Sequence, residues 1–257
     1  MSTETLSAGA SLSALLHGGV PLIAVSFSDR TPRSDVERAK AEGLDIAELR
    51  IDRYSSHDLS DVLAEVRSFA GFHTIATIRI AAERGDWTGS EANRLGLFMS
   101  VLPEVDAIDI ELAATEILPE LVAAAKGLGK VVIISNHNFT ETPPQSELET
   151  MAERAKGLGA DLVKLSAWAK SWTDIRCLAS FTLQHAELGL IVIAMGPRGG
   201  VSRVFFPALG SRVTYAHIDE HPVSGQLTFT ATFDELRRFF PEFNEKKIIE
   251  LQLLDGA

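Results

Sequence analysis

Ala160-Asp161-Leu162-Val163-Lys164-Leu165-Ser166 is a short apolar run with a lysine at its centre. In an extended chain successive side chains point to opposite faces, so Val163 and Leu165 share one face while Leu162, Lys164 and Ser166 share the other. If Val163 and Leu165 face a packed helix layer, the Lys164 amine points into an interior. There it must be paired, or lose its proton because desolvation and nearby cations lower its pKa. Taken alone, a lysine whose long stem carries its charge from a strand end to water is the ordinary alternative. The preceding run, Val131 to Ser135, leads into His137. A buried amine and an imidazole at the ends of neighbouring strands are the parts of a Schiff-base enzyme.

Working outward, eight short strand candidates follow one another: Leu22 to Phe27, Ile46 to Ile51, Thr74 to Ile78, Ala107 to Leu112, Val131 to Ile134, Leu162 to Leu165, Ile191 to Met195 and Val213 to Ala216. Amphipathic segments lie between them, among them Leu59 to Phe69, Glu91 to Leu102, Leu118 to Leu128, Glu147 to Leu158 and Asp174 to Leu188, several ended by a glycine suited to a helix C-cap. Regular β-α alternation signals a parallel sheet covered by helices, and eight units in about 250 residues is the size of a closed barrel. The fold class expected is therefore α/β, a single-domain (β/α)8 barrel over residues 19–257, with 1–18 as an N-terminal segment. Its last helix is expected over Phe233 to Phe240, with a polar tail after Pro241. The competing open, doubly wound sheet lacks its dinucleotide glycine signature, since Ser26-Phe27-Ser28-Asp29-Arg30 follows the first strand.

The chain has 257 residues, 46% hydrophobic and 23% charged, enough for one sizeable core. Its net charge of −11 argues against nucleic acid as a partner, while local arginines can still make a site for a small anion. No apolar stretch approaches the roughly 20 residues of a membrane span, and Met1 to Ala10 lacks the pattern of an export signal. The single cysteine, Cys177, excludes an internal disulfide framework and suits a reducing cytoplasm, where the protein is expected. Neither membrane nor nucleic acid is expected as a partner.

The same alternation places Glu48 and Arg50 inside on the second strand, opposite Ala47, Leu49 and Ile51. Arg79 closes the third strand, and Asp109 and Glu111 alternate with Ile108 and Ile110 in the fourth. Any one of these charges can be an ion pair at a barrel floor, and Asp109 with Glu111 reads that way. A set of Glu48, Arg50, Arg79, His137 and Lys164 near strand C-termini is harder to explain structurally, because barrel enzymes draw their catalytic groups from those ends.

Through these segments the chain resembles the type I 3-dehydroquinate dehydratases, or type I dehydroquinases, from about Leu22 to Thr228. The matching stretches are Glu48-Leu49-Arg50-Ile51-Asp52, Thr77-Ile78-Arg79 with Glu83, Ser135-Asn136-His137-Asn138-Phe139 with Thr142-Pro143, Ala160 to Lys164, Met195-Gly196 with Ser202-Arg203, Gly210-Ser211, and Gly225-Gln226. The resemblance implies dehydration of 3-dehydroquinate to 3-dehydroshikimate in the shikimate or quinate pathway, with no cofactor or metal, by a homodimer. It further implies that Lys164 forms an imine with the ring ketone, that His137 moves the protons, and that Glu83 orients His137. Glu48, Arg50 and Arg79 would bind ring hydroxyls, and Arg203 and Gln226 the carboxylate. Gly199-Gly200-Val201-Ser202, ahead of Arg203, either forms a tight turn or opens a helix whose backbone N–H groups also face the anion.

Two departures from the family pattern stand out. After the eighth strand the family's Ala-Ser-Ala-Pro-Gly-Gln is replaced by His221-Pro222-Val223-Ser224-Gly225-Gln226, so Pro222 occupies the serine's place and Ser224 is the remaining hydroxyl for the substrate. Asn138 stands where the family has aspartate, removing a negative charge near the imidazole. His217 and His221 are four apart, but they leave a strand and run into Pro222, which argues against a helical metal pair. Two other readings stay open: a class I aldolase-like barrel using the same imine, and a divergent barrel that binds a related hydroxylated ring acid, with or without turning it over.

Overall fold

A computed structural model describes residues 10–218 and 224–255. Strands β1 (Leu22–Phe27), β2 (Ile46–Arg50), β3 (His73–Thr77), β4 (Ala107–Glu111), β5 (Val131–Asn138), β6 (Leu162–Trp168), β7 (Leu190–Met195) and β8 (Val213–Ala216) run parallel in chain order. β8 returns to pair with β1, Leu22 opposite Val213. The last seam, between β7 and β8, is held by a bridge of Leu190 to Ser211, with the Arg212 N–H donating to the Leu190 carbonyl at 2.7 Å. The fold is the single (β/α)8 barrel expected from the alternation.

Around it lie α1 (Leu12–His17), α2 (Arg33–Ala41), α3 (Leu59–Ser68), α4 (Glu91–Val101), α5 (Leu118–Gly127), α6 (Gln145–Gly157), α7 (Trp172–Gln184), α8 (Gly200–Phe205), α9 (Phe229–Phe239) and α10 (Pro241–Asp255). Side chains alternate as the strand geometry requires. Ile23, Val25, Leu49, Ile110, Val163 and Leu165 face the helices in one core, while Leu22, Ala24, Ile46, Ile75, Ile133 and Leu162 fill the barrel. α1 plugs the interior from below: Leu12 and Leu16, four apart and so on one helix face, are buried in the inner cluster. With its lower half filled by hydrocarbon, the barrel leaves its polar interior positions toward the C-terminal ends of the strands.

Local chemistry moved several boundaries. α7 starts two residues before Asp174, because Ser171 and Asp174 form a reciprocal capping box. α9 starts at Phe229, because the Thr228 hydroxyl accepts the Ala231 N–H. β5 and β6 extend to Asn138 and Trp168, as they pair with each other and β6 with β7 along those residues. The polar tail expected after Pro241 is instead α10, with proline in the first helical position, where its missing N–H costs nothing.

α10 is tied down by buried charge. Asp45, just before β2, accepts from Lys246 Nζ at 2.9 Å, Lys247 Nζ at 2.6 Å and the Ile23 N–H at 2.9 Å. All three charged side chains are buried, and Phe243 packs edge-on against Phe233 beside them. Removing the acid leaves two buried ammonium groups with the partly exposed Glu250 as their counter-charge, so Asp45→Ala should cost about 3–5 kcal/mol in urea denaturation; a loss under about 1 kcal/mol would mean that Glu250 and water suffice for the lysines.

Candidate active site

Lys164 lies in the barrel interior and is 4% exposed. Its Nζ is 2.8 Å from Asp109 Oδ2 and 3.2 Å from Glu48 Oε1, and sits 4.0 Å from the centroid of the Tyr215 ring. Of the two alternatives for an interior lysine, pairing is the one realised. Burial works against the charge, but Asp109 and then Glu48 outweigh it and raise the amine above its ordinary value. The resting group is an ammonium ion.

The two carboxylates are themselves fixed. Glu48 accepts from Ser26 Oγ and, at 3.1 Å, from Thr77 Oγ1. Asp109 Oδ1 accepts from Arg79 Nη2 at 2.7 Å and Ser135 Oγ at 2.6 Å. Burial would raise the Asp109 carboxyl, yet Arg79 and Lys164 hold it far below the ordinary carboxylate range. Asp109 and Glu111, expected as ion pairs at the barrel floor, are ion-paired but lie level with the reactive groups, Glu111 beside Ser135 and Ser135 beside Lys164 in the strand register.

His137 is placed on β5 opposite Ser166 of β6, two residues beyond the Ser135–Lys164 pair. Its partner Glu83 arrives from a tight turn after β3. Ala81–Glu83 make one 3-10 turn, Arg84 takes a left-handed φ of 55°, and the Gly85 N–H donates to the Ile80 carbonyl at 2.9 Å. A Cβ on Gly85 would stand 1.9 Å from the Arg79 carbonyl oxygen, so only glycine fits there. Glu83 Oε2 accepts the His137 backbone N–H at 3.1 Å and lies 2.7 Å from Nδ1.

Burial, then Arg79 and Lys164, push His137 well below its ordinary value, so the imidazole is neutral. Burial also raises Glu83 to about 7, Arg79 opposing and Glu111 and Asp109 adding to the rise. An ionised Glu83 can only accept, which puts the imidazole proton on Nδ1 and leaves the Nε2 lone pair as a base. A protonated Glu83 donates to Nδ1 instead and moves the ring proton to Nε2.

Arg203, on α8, is 3% exposed, and its Nε and Nη1 have no hydrogen-bond partner among the described residues. Burial lowers it to about 10, which still leaves a cation at neutral pH. An unsatisfied buried guanidinium is a strong donor site for a carboxylate. α8 opens at Gly200, the helical reading of its glycine pair. Ser202 pins it to β7: the Ser202 Oγ accepts the Ala194 N–H at 3.1 Å and donates to the Gly199 carbonyl at 2.7 Å.

Gln226 Nε2 donates to the Ala216 carbonyl at 2.9 Å, and the Ser224 side chain is exposed. The segment carrying both docks on the loop after β7. The Gly196 N–H donates to the Ser224 carbonyl at 3.0 Å, and a Cβ on Gly225 would meet the Gly196 carbonyl oxygen at 2.2 Å. His221 and Pro222 lie outside the described residues.

Arg50 is gripped by both oxygens of Asp52, at 2.9 and 2.7 Å. Asn138 faces away from the imidazole's side of β5, and its Oδ1 accepts from Thr140 N, Thr140 Oγ1 and Glu141 N, closing the loop after β5. Glu48 thus meets Lys164 directly, Arg79 reaches Lys164 only through Asp109, and Glu83 meets His137. Tyr215, Ser135 and the Asp109 contact went unread in the sequence, although the alternation of Val213-Thr214-Tyr215 signals an inward Tyr215.

The family model described as type I 3-dehydroquinase matches residues 20–239. The chain belongs to the type I dehydroquinase family. It is 38% identical over 191 residues to the 3-dehydroquinate dehydratase of Methanosarcina barkeri, covering 71% of this chain and 79% of that one. The crystal structure of 3-dehydroquinate dehydratase from Aquifex aeolicus is 33% identical, with a TM-score of 0.77 over 86% of this chain and 99% of that one. A type I enzyme from Clostridium difficile, solved with covalently modified comenic acid, superposes with a TM-score of 0.79 at 28% identity, covering 86% of this chain and 92% of that one. Among the described residues no helix is long and apolar enough to cross a membrane.

The Glu83–His137 pair of this dehydroquinase-family site carries a pH signature. With His137 acting as a base through Nε2, Glu83 must be ionised, and kcat/KM should then fall about tenfold per pH unit below about 7. A pH–rate profile measures it, and Glu83→Gln, which cannot ionise, should lack that limb. A limb that persists unchanged in Glu83→Gln assigns it to another group.

Proposed function

We propose that the protein dehydrates 3-dehydroquinate to 3-dehydroshikimate in the shikimate pathway, through an imine on Lys164. The observation that carries the reading is the buried Lys164 amine between Asp109 and Glu48, inside a chain of the type I dehydroquinase family. The covalent modification recorded in the Clostridium difficile relative supports it.

Lys164 first gives up one ammonium proton, since only the lone pair attacks the ring ketone. After attack, that proton and a second amine proton leave on the former ketone oxygen as water, giving a cationic iminium whose charge Asp109 and Glu48 balance as they balanced the ammonium. The iminium draws electrons from the adjacent C–H bond, and His137 Nε2 takes that proton. The electrons move into the ring as the C–O bond beyond breaks, and the imidazolium returns its proton to the departing hydroxyl as water. Hydrolysis of the imine frees product and amine. Arg203, buried and with two guanidinium nitrogens unpartnered among the described residues, holds the substrate carboxylate with Gln226; Arg79, Arg50 and Glu48 bind ring hydroxyls, Ser224 assisting at the rim. No metal or organic cofactor enters these steps.

Borohydride reduction with 3-dehydroquinate should add the reduced ligand's mass to the Lys164 peptide. Lys164→Ala should abolish the adduct, whereas His137→Ala should keep it while turnover collapses. An adduct on Lys156 or Lys170 overturns the assignment. Arg203→Met should raise KM about tenfold to a hundredfold, the worth of hydrogen bonds to a charged group, with a smaller change in kcat.

We further propose that the enzyme is a cytoplasmic homodimer. Trp172, Leu183, Phe205 and Phe239 are large apolar side chains left exposed on the outer helices, which supports a covered face. Light scattering after size exclusion should give twice the chain mass, and a monomer at micromolar concentration would refute the dimer.

A further inference from the structure

The turn that presents Glu83 has little packing of its own. Ala81, Ala82 and Arg84 are exposed; the Arg84 guanidinium lies 4.3 Å over the Phe139 ring, the Asp86 N–H donates to Asp52 Oδ2 at 3.1 Å, and a further side-chain contact reaches the turn from below. That contact is Glu111, whose Oε1 accepts the Ile80 N–H at 3.0 Å and lies 3.3 Å from Arg79 Nη1. Glu111 is held in turn by Arg94 of α4, a fully buried guanidinium on a helix of the outer layer. Arg94 Nη1 donates to Glu111 Oε2 at 2.7 Å and to the Ile78 carbonyl at 3.0 Å, and Nη2 donates to Glu91 Oε2 at 2.6 Å. One fork thus grips the strand end before the turn and the carboxylate that anchors the turn's first residue.

We infer that Arg94 is a positioning residue for the His137 base, acting through Glu111, Ile80 and the turn that sets Glu83 against Nδ1. The inference rests on the proposed proton transfer by His137. A flat, five-donor guanidinium suits the task because it satisfies a carbonyl and a carboxylate at fixed angles, which an ammonium cannot. Arg94 also balances Glu111. Without it, Glu111 keeps Arg79 alone as its counter-charge, and more of its negative charge is felt at Glu83 alongside that of Asp109, with Arg79 and His137 the remaining groups around it.

The test compares Arg94→Met, Arg94→Lys and Glu111→Gln with the unmodified enzyme on 3-dehydroquinate. Arg94→Met should lower kcat about tenfold to a hundredfold, since small misplacement of a catalytic group costs that much, while KM changes less than about threefold. Its acid limb should move to higher pH, and the Lys164 adduct should still form. Arg94→Lys, keeping the charge and losing the fork, should restore the limb but not the full rate. Glu111→Gln, removing a negative charge beside Glu83, should move the limb to lower pH. If Arg94→Met does not fold, the unmoved limb and reduced rate of Arg94→Lys, set against the lowered limb of Glu111→Gln, carry the comparison. A stable Arg94→Met with kcat within about twofold and an unmoved limb overturns the inference. The nitrogen resonances of His137 read the same point without turnover: the pH at which the proton leaves Nδ1 for Nε2 should rise in Arg94→Met. Were the unmodified protein to leave 3-dehydroquinate unchanged, the proposed function would fall, while identical His137 titrations in both proteins would overturn the positioning role.

Discussion

Buried charges alternate in sign across the upper interior of the barrel: Glu48, Lys164, Asp109, Arg79, Glu111 and Arg94. Successive contacts measure 3.2, 2.8, 2.7, 3.3 and 2.7 Å. Each of these groups would be intolerable alone, since the desolvation cost of a buried ion is repaid only by close partners. Carboxylate follows cation along the chain, so every charge has opposite neighbours and the row as a whole is neutral. The row spans β2, β6, β4, the segment just after β3, and α4, and thereby ties three strands, the end of a fourth and one outer helix together.

That balance shapes the chemistry. The carboxylates that make a buried lysine tolerable also keep it protonated, so the nucleophile is stored as its unreactive form. In the proposed mechanism the same carboxylates would stabilise the iminium that replaces the ammonium, because the positive charge stays at the same atom. His137 sits on the other side of this balance: burial and the cations of Arg79 and Lys164 keep it neutral, and Glu83 selects which nitrogen carries the proton. Arg203 stands apart from the row. Its buried guanidinium is partly unsatisfied among the described residues, and in the proposed function a bound carboxylate would complete it.

Much of this was legible in the chain. Alternation within runs such as Ile46 to Ile51 and Leu162 to Leu165 separates helix-facing from interior residues, and the interior set already contains Glu48, Asp109 and Lys164. The glycines of the β7–α8 loop and the Glu83 region were less legible. Nothing near Arg79 marks Gly85 as indispensable, because the atom it must avoid is the Arg79 carbonyl brought back by the turn itself. Arg94 reads as an ordinary polar residue on an amphipathic helix. The tail beyond Pro241 was misread because its hydrophobic patterning is weak; α10 is held by Phe243 and by lysines whose partner, Asp45, lies some 200 residues away in sequence.

The sequence by itself determined the element order, the two faces of each strand and the inventory of reactive groups, because strand and helix periods are properties of the local backbone. The tertiary structure alone decided the charge states and partnerships. Whether Lys164 is neutral or an ammonium depends on Asp109 and Glu48, which come from different strands, and whether His137 presents a lone pair depends on a carboxylate delivered by a turn after β3. Electrostatic energies depend on distance and burial in space, and the barrel's closure, not the spacing along the chain, sets both.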